Sequence, residues 1–524
     1  MRLEKNHMIV IGIVAVLLCA GAGAYLLTRD NSDGDALVFA AGNKDCYEPA
    51  WIADQKGLYA KYGANVETLT VSGGGKGLEA MLAGQADFAS FGSTPIINLL
   101  NNPHSNDYVL LARYLTGPSH AEMASMVRDE GGVKHVYSLY YPHGSGGSLV
   151  TVTTKDGPVQ AIADPLKGIT IGMDTSTAYL AALRNYCDAV GLTCAMEGVA
   201  TGDDIKIRHR EFSVQIASLI NTKDIDGLLG GSYSIASYYL DSVVLSTPNV
   251  DEFPALETDA PVILAVSREV YVNRYSDVVA VLKALQEACC YIYGIDSTTE
   301  LLTPEYVKAK QAAKIATMTP QEVEDLYGTT TASKKGYYYT SDACNIVASV
   351  FGYPFDENVQ RHSFDSYEWG LNFELIDMKI IRNAYDSAKK NAAAGVYRDV
   401  PTMDYMKYFD GSALYDALKK NTTESYWESD EWFMNSSIYF CTTKTITLDE
   451  AASSDEVAMI FTDVVDGLWE IWFLNEHGKS VDGLTITLKM GANTITMGNG
   501  WTYASNVLIL QLALSDNVVV TATK

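Results

Sequence analysis

Three short apolar runs near the start of the chain each end in residues suited to holding a small polar solute. Residues 37–41 run into Gly42-Asn43-Lys44-Asp45, with Cys46 and Tyr47 following. Residues 65–71 stop at Ser72-Gly73-Gly74-Gly75, and residues 86–91 stop at Gly92-Ser93-Thr94-Pro95. A glycine turn opening a helix bares backbone N–H donors, which suits an anion or polar ligand atom, although an ordinary tight turn accounts for the same glycines. Ser93 or Thr94 suits the cap of the next helix, with Pro95 at its first position. Further on, Asp174, Thr175, Ser176 and Thr177 precede the apolar helix of Ala178-Tyr179-Leu180, again as a cap should.

These turns need elements to hold them. The runs alternate with helical patterns at 49–59 and 76–83, so 39–95 reads as strand, helix, strand, helix, strand, an α/β arrangement. A strand over 149–154, a turn and second strand through 164–172 and an amphipathic helix follow. Residues 212–220 then read as a helix that leads into Asp226 and Gly227-Leu228-Leu229. The stretch 118–148, with His120, His135, His143 and the glycines of 144–147, has no clear period and reads as a surface excursion or a ligand-covering loop.

The segment EPAWIADQKGLYAKYGANVETLTVSGGGKGLEAMLAGQADFASFGSTP resembles the first lobe of ABC-transporter solute-binding proteins of the nitrate, sulfonate, taurine and bicarbonate type. Its Gly57-Leu58-Tyr59, its glycine turn at 73–75, its Ala80 to Asp87 helix end and its Gly92-Ser93-Thr94-Pro95 follow the family's order and spacing. The resemblance implies a two-lobed, type II periplasmic-binding-protein-like fold. It also implies ligand contacts from Asn43, Cys46, Tyr47, Gly73, Gly74, Ser93 and Thr94 in one lobe, and from Thr175, Ser176, Thr177, Tyr179, Ser232 and Tyr233 in the other. For Cys46 a disulfide is as good a reading as ligand contact. Where the family often has a Trp-Glu-Pro-like turn, this chain has Gly230-Gly231-Ser232-Tyr233. Asp87 and Asp226 sit at strand starts, away from the ligand ends, and read as structural.

Composition sets the broad class as globular. The 524 residues, 48% hydrophobic and 19% charged, suffice for two or three domains. With 38 basic against 64 acidic residues, the net charge of -26 argues against a nucleic-acid partner. Residues 8–27 form an uncharged apolar run long enough to span a bilayer, preceded by Arg2 and Lys5 and followed by Asp30, Asp33 and Asp35. It reads as a membrane anchor or signal peptide that leaves the bulk of the chain outside. Seven cysteines lie beyond it, of which Cys187 and Cys194 are candidates for a local disulfide. No cofactor, metal or nucleophile motif emerges, so the chain reads as a binder and not an enzyme.

The expected organisation is therefore a cytoplasmic N-terminus (1–7), an anchor (8–27), a linker (28–36), lobe I with a helical extension (37–115 and 262–424), lobe II (116–261) and a small β-sandwich-like domain (425–524). Strand-like runs separated by Asp-Gly, Gly-Asn and Asn-Gly turns mark the last of these. Asn421-Thr422-Thr423 and Asn435-Ser436-Ser437 are glycosylation sequons. The function expected is capture of a small anionic or organic solute for an ABC permease and its ATPase. The alternatives are a pyrimidine-binding or synthase-like protein of thiamine biosynthesis and an anchored sensory or adhesion protein.

Overall fold

The computed structural model describes residues 36–43, 46–92, 95–96, 99, 107–116, 118–120, 123–137, 139, 148–154, 157–175, 178–210, 212–229, 243–246, 257–259, 262–351, 357–365, 367–372, 408, 410–418, 446–465, 468–475, 479–498, 501–504, 506–510 and 518–524. The apolar run 8–27 and both sequons lie outside them. Among the described residues no helix is long and apolar enough to cross a membrane.

The chain opens with β1 (Leu37–Gly42), α1 (Glu48–Gln55), α2 (Leu58–Lys61), β2 (Val66–Val71), α3 (Gly74–Leu82), β3 (Phe88–Phe91) and β4 (Tyr108–Thr116). β1 pairs in parallel with both β2 and β3 and is buried along its whole length, as a central parallel strand covered on both faces must be. The helix expected over 49–59 divides at Gly57, whose φ of 64° breaks it.

The chain continues through β5 (Pro118–His120), β6 (Met123–Met126), β7 (Arg128–Glu130), β8 (Val133–Tyr137), β9 (Ser148–Thr154), β10 (Gly157–Asp164), β11 (Thr170–Met173), α4 (Ala178–Val190), β12 (Cys194–Met196), β13 (Ile205–His209), α5 (Phe212–Ala217), β14 (Gly227–Leu229), β15 (Val243–Ser246) and β16 (Glu257–Asp259). Ten of these strands form a second sheet, in the order β12-β13-β11-β14-β6-β15-β9-β10-β8-β7. The described part of 118–148 is thus mostly strand, which corrects the expectation of an irregular excursion. β7 and β8 form a hairpin around Gly131 and Gly132, both at positive φ. β5 and β16 stand apart as a two-stranded antiparallel ribbon.

β17 (Val262–Ser267) returns to the first sheet between β3 and β4. Helices α6 (Arg268–Asn273), α7 (Tyr275–Tyr293), α8 (Pro304–Ile315), α9 (Pro320–Tyr327), α10 (Ser341–Phe351) and α11 (Glu357–Asp365) come next. β18 (Glu368–Asn372) then adds an edge strand beside β4, completing the order β18-β4-β17-β3-β1-β2. Within the helical extension expected between 262 and 424, this segment is a strand. The strand forms instead because Tyr367, Trp369 and Leu371 alternate and are all buried on the first core. α12 (Ser412–Leu418) also packs into that core.

The last segment holds β19 (Ile446–Leu448), β20 (Met459–Val465), β21 (Leu468–Leu474), β22 (Thr485–Met490), β23 (Asn493–Ile495), β24 (Trp501–Ala504), β25 (Val507–Leu510) and β26 (Val518–Thr523). They make two four-stranded sheets, β19-β26-β22-β23 and β20-β21-β25-β24, around a core that includes Ile471, Leu488, Leu508 and Val520. Trp472, Leu474 and Val507 instead bury into the core of the first sheet, so this unit is docked on that sheet.

Candidate functional site

The turns of the first sheet are built around Tyr47. Its ring is 3% exposed and fills the space above two glycines. A Cβ on Gly42 would lie 2.5 Å from Tyr47 Cε2 and 3.0 Å from Gly73 Cα. One on Gly74 would lie 2.5 Å from Tyr47 Oη and 2.8 Å from Phe91 Cβ. Gly73, with φ 107° and ψ 176°, turns the chain from β2 into α3 in a conformation that only glycine adopts readily. The Trp51 indole N–H donates to Gly42 O at 3.1 Å, and Asn43 N donates to Val71 O at 2.9 Å. The glycines are therefore required by close packing of three turns on one ring. Asn43 is half-buried at this edge, with its Oδ1 enclosed, and Cys46 is half-buried beside it.

In the second sheet the equivalent edge carries Thr175 after β11 and His209 at the end of β13. Ile205 and Ile207 are buried, and His209 shares their parity but emerges past the core into solvent. Its Nδ1 lies 3.0 Å from Thr175 Oγ1 and accepts from Thr175 N at 3.4 Å. On the opposite parity Arg208 and Arg210 are neutralised: Arg208 pairs with Glu197 and Asp224, and Arg210 with Asp224. Hydrogen bonds from Thr222 and Arg210 hold the Asp224 carboxyl far below the usual carboxylate range. Tyr179, on α4, is half-buried against the second core.

Strand register places the crossing segments at the turn-bearing edge of each sheet. In the first sheet Gly42 pairs with Val71, and Ile263 faces both Phe91 and Arg113. The end of β4 and the start of β17 therefore lie on the same edge as the ends of β1, β2 and β3. In the second sheet Met173 pairs with His209, and Leu229 with Met123, the first residue of β6. The ribbon of β5 and β16 thus joins the sheets at the edge of each where the candidate turns emerge. Asp87 and Asp226 lie at the opposite ends and clamp strand starts in the same way in each sheet. Asp87 Oδ2 accepts from Val38 N at 2.7 Å, and Asp226 Oδ2 accepts from Thr170 N at 2.8 Å.

Of the sequence candidates, Asn43, Cys46, Tyr47, Gly73 and Gly74 gather at the first edge, and Thr175 and Tyr179 belong to the second. Ser93, Thr94, Ser176, Thr177, Ser232 and Tyr233 lie outside the described residues. Cys187 and Cys194 are thiols in mutual contact, and the Cys187 proton is held by its hydrogen bond to Cys194 and by burial. Sequence reading missed two residues. Arg113 is 3% exposed and lies in the cross-strand row of Phe91, inside a run that reads as merely apolar. His209 ends a strand whose only sequence signal is the alternation of Ile205 and Ile207.

Solved structures with a similar course include the alkanesulfonate-binding protein SsuA from Xanthomonas axonopodis pv. citri bound to MOPS, at 11% identity and a TM-score of 0.43, covering 70% of this chain and 96% of that one. The periplasmic aliphatic sulphonate binding protein SsuA from Escherichia coli gives 12% identity, 70% and 95% coverage and a TM-score of 0.43. The periplasmic nitrate-binding protein NrtA from Synechocystis PCC 6803 gives 13%, 70% and 92%, and 0.35. No curated protein matches the chain. The family model of the NMT1-like family matches residues 39–303, about half the chain, and on that match the chain belongs to the NMT1-like family.

Proposed function

We propose that this protein is the extracytoplasmic solute-binding component of an ABC importer, anchored by residues 8–27, which captures a small anionic or organic solute between two lobes and delivers it to a permease. The observation that carries this reading is the ribbon of Pro118–His120 and Glu257–Asp259, which joins the sheets at the edges where their candidate turns emerge. Two lobes on such a hinge close by rotation, and turns from both sides then enclose the solute. Weak single contacts suffice when several act together: each exposed dipole or cap contact is worth about 0.3–1 kcal/mol. The solute classes are those named for the solved binding proteins above, sulfonates and nitrate, together with bicarbonate and carboxylates. No covalent step on the solute is part of this reading.

An exported location also gives Cys187 and Cys194 an oxidising setting in which thiols already in contact close a disulfide. Loss of two hydrogens from the peptide pair, read by mass spectrometry of protein isolated from the cell membrane without reductant, checks that expectation.

The test is a thermal-shift screen of the full-length chain in mild detergent against sulfonates, nitrate, bicarbonate, carboxylates and pyrimidines. A ligand at one hundred times its Kd adds about 2.7 kcal/mol of stability. A saturable shift with one class supports transport of that class. A well-folded sample that shifts with none of them overturns the reading.

A further inference from the structure

Resting on the solute-binding reading, we propose that His209 recognises the solute by presenting its Nε2–H as a hydrogen-bond donor to an anionic oxygen, while Thr175 holds the ring through Nδ1.

The argument starts from what each atom can do. A backbone N–H only donates, so the contact from Thr175 N at 3.4 Å makes His209 Nδ1 an acceptor. The Thr175 hydroxyl, 3.0 Å from the same nitrogen, then also donates to it. With Nδ1 accepting, the ring hydrogen sits on Nε2. Among the described residues Nε2 has no hydrogen-bond partner, and the side chain is exposed. The ring is also positioned by more than that contact. Met173, its register partner, and Ile207, two residues back on the same face, are both fully buried, so the strand beneath it is fixed. This strand end lies on the edge where the ribbon meets the second sheet.

The chemistry selects the class of solute. An oriented N–H donor matches an oxygen acceptor and offers nothing to an ammonium group. The neighbouring arginines are committed to Glu197 and Asp224 on the other face of the strand, so they leave His209 as the donor on this one. The expected solute therefore carries a sulfonate, nitrate-like or carboxylate oxygen at the end that meets the second lobe.

Calorimetric titration of the full-length wild type, His209→Ala and His209→Gln with ethanesulfonate, nitrate and acetate tests this. Gln extends an amide N–H to about the position of Nε2, whereas Ala removes the donor. For whichever probe the wild type binds, Ala is expected to weaken affinity about tenfold or more and Gln by no more than about threefold. Unchanged affinity in Ala, or a Gln variant as weak as Ala, would overturn the assignment. A second measurement needs no ligand. With 15N-labelled histidine, the resonance missing from the Gln variant is expected to show a bare Nδ1 and a protonated Nε2, and the reverse tautomer would also overturn it. A wild type that binds none of these three probes while shifting with another solute of the wider thermal screen overturns the oxyanion assignment, whereas one that shifts with nothing in that screen refutes the solute-binding reading itself.

Discussion

At the scale of single residues, Tyr47 turns a glycine-rich stretch into a rigid corner. Gly74→Ala would place a methyl 2.5 Å from Tyr47 Oη and 2.9 Å from Phe91 Cα, and the second of these is backbone that cannot swing aside. The expected cost is about 1–3 kcal/mol by urea denaturation. Adding Tyr47→Phe should recover only part of it, because Phe91 remains; full recovery would mean that the ring alone sets the limit. A comparable argument applies to two buried cysteines on α7. Burial pushes the Cys290 thiol up to about 12 and that of Cys289 well above its ordinary value. Neither holds appreciable thiolate at pH 8, and thiolate is the reactive form. Iodoacetamide should therefore leave both unmodified in the native protein and alkylate both in urea, as peptide mass mapping would show.

At the scale of elements, the helical extension is tied to α7 by buried amides. Gln311 is 2% exposed, its Nε2 donates to Tyr293 O and Tyr338 O at 2.6 Å each, and its Oε1 accepts from Tyr338 N at 3.1 Å. Gln286 bridges in the same manner from Glu300 O to Leu371 N. Gln311→Leu keeps the volume but strands three backbone groups, so a loss of about 2–4 kcal/mol is expected in a thermal melt. A neutral result would mean that water reaches those groups. The sheets and helices of the first lobe were legible because their periods are clean and glycines mark their ends. β18 was equally present in the alternation of Tyr367, Trp369 and Leu371, but five residues flanked by helical patterns are easily absorbed into a helix. β7 and β8 are mostly exposed and polar, and their one signal was the Gly131-Gly132 pair. The candidate site was legible only where turns carry it. Arg113 and His209 become neighbours of those turns through register, which no local pattern in the chain encodes.

At the scale of the whole molecule, the carboxy-terminal sheets are fastened to the core of the first sheet. Besides Trp472, Leu474 and Val507, the fastening includes an ion pair from Lys479 Nζ to Asp410 Oδ2 at 3.0 Å. Asp410 is 6% exposed, and its Oδ1 accepts from Ser412 Oγ at 2.6 Å and Ser412 N at 3.1 Å. Burial by itself would raise this carboxyl, but the bonds from Ser412 and the charge and bond of Lys479 outweigh it, so it titrates below its ordinary range. A carboxylate depressed in the folded state contributes stability that is fully present above the unfolded value of about 3.9, and that contribution is lost as pH falls through the lower, folded value. Lys479→Ala leaves the buried charge with a weaker shell, at an expected cost of about 1–3 kcal/mol near pH 7. Because the missing partner matters only while Asp410 is ionised, the gap between wild type and variant should hold at pH 7 and 5 and shrink below about pH 4. Urea melts at pH 7, 5 and 3 read this directly. A gap of the same size at pH 3 would instead assign the loss to the packed methylenes of the lysine, and the docking of the sheets would then be apolar alone.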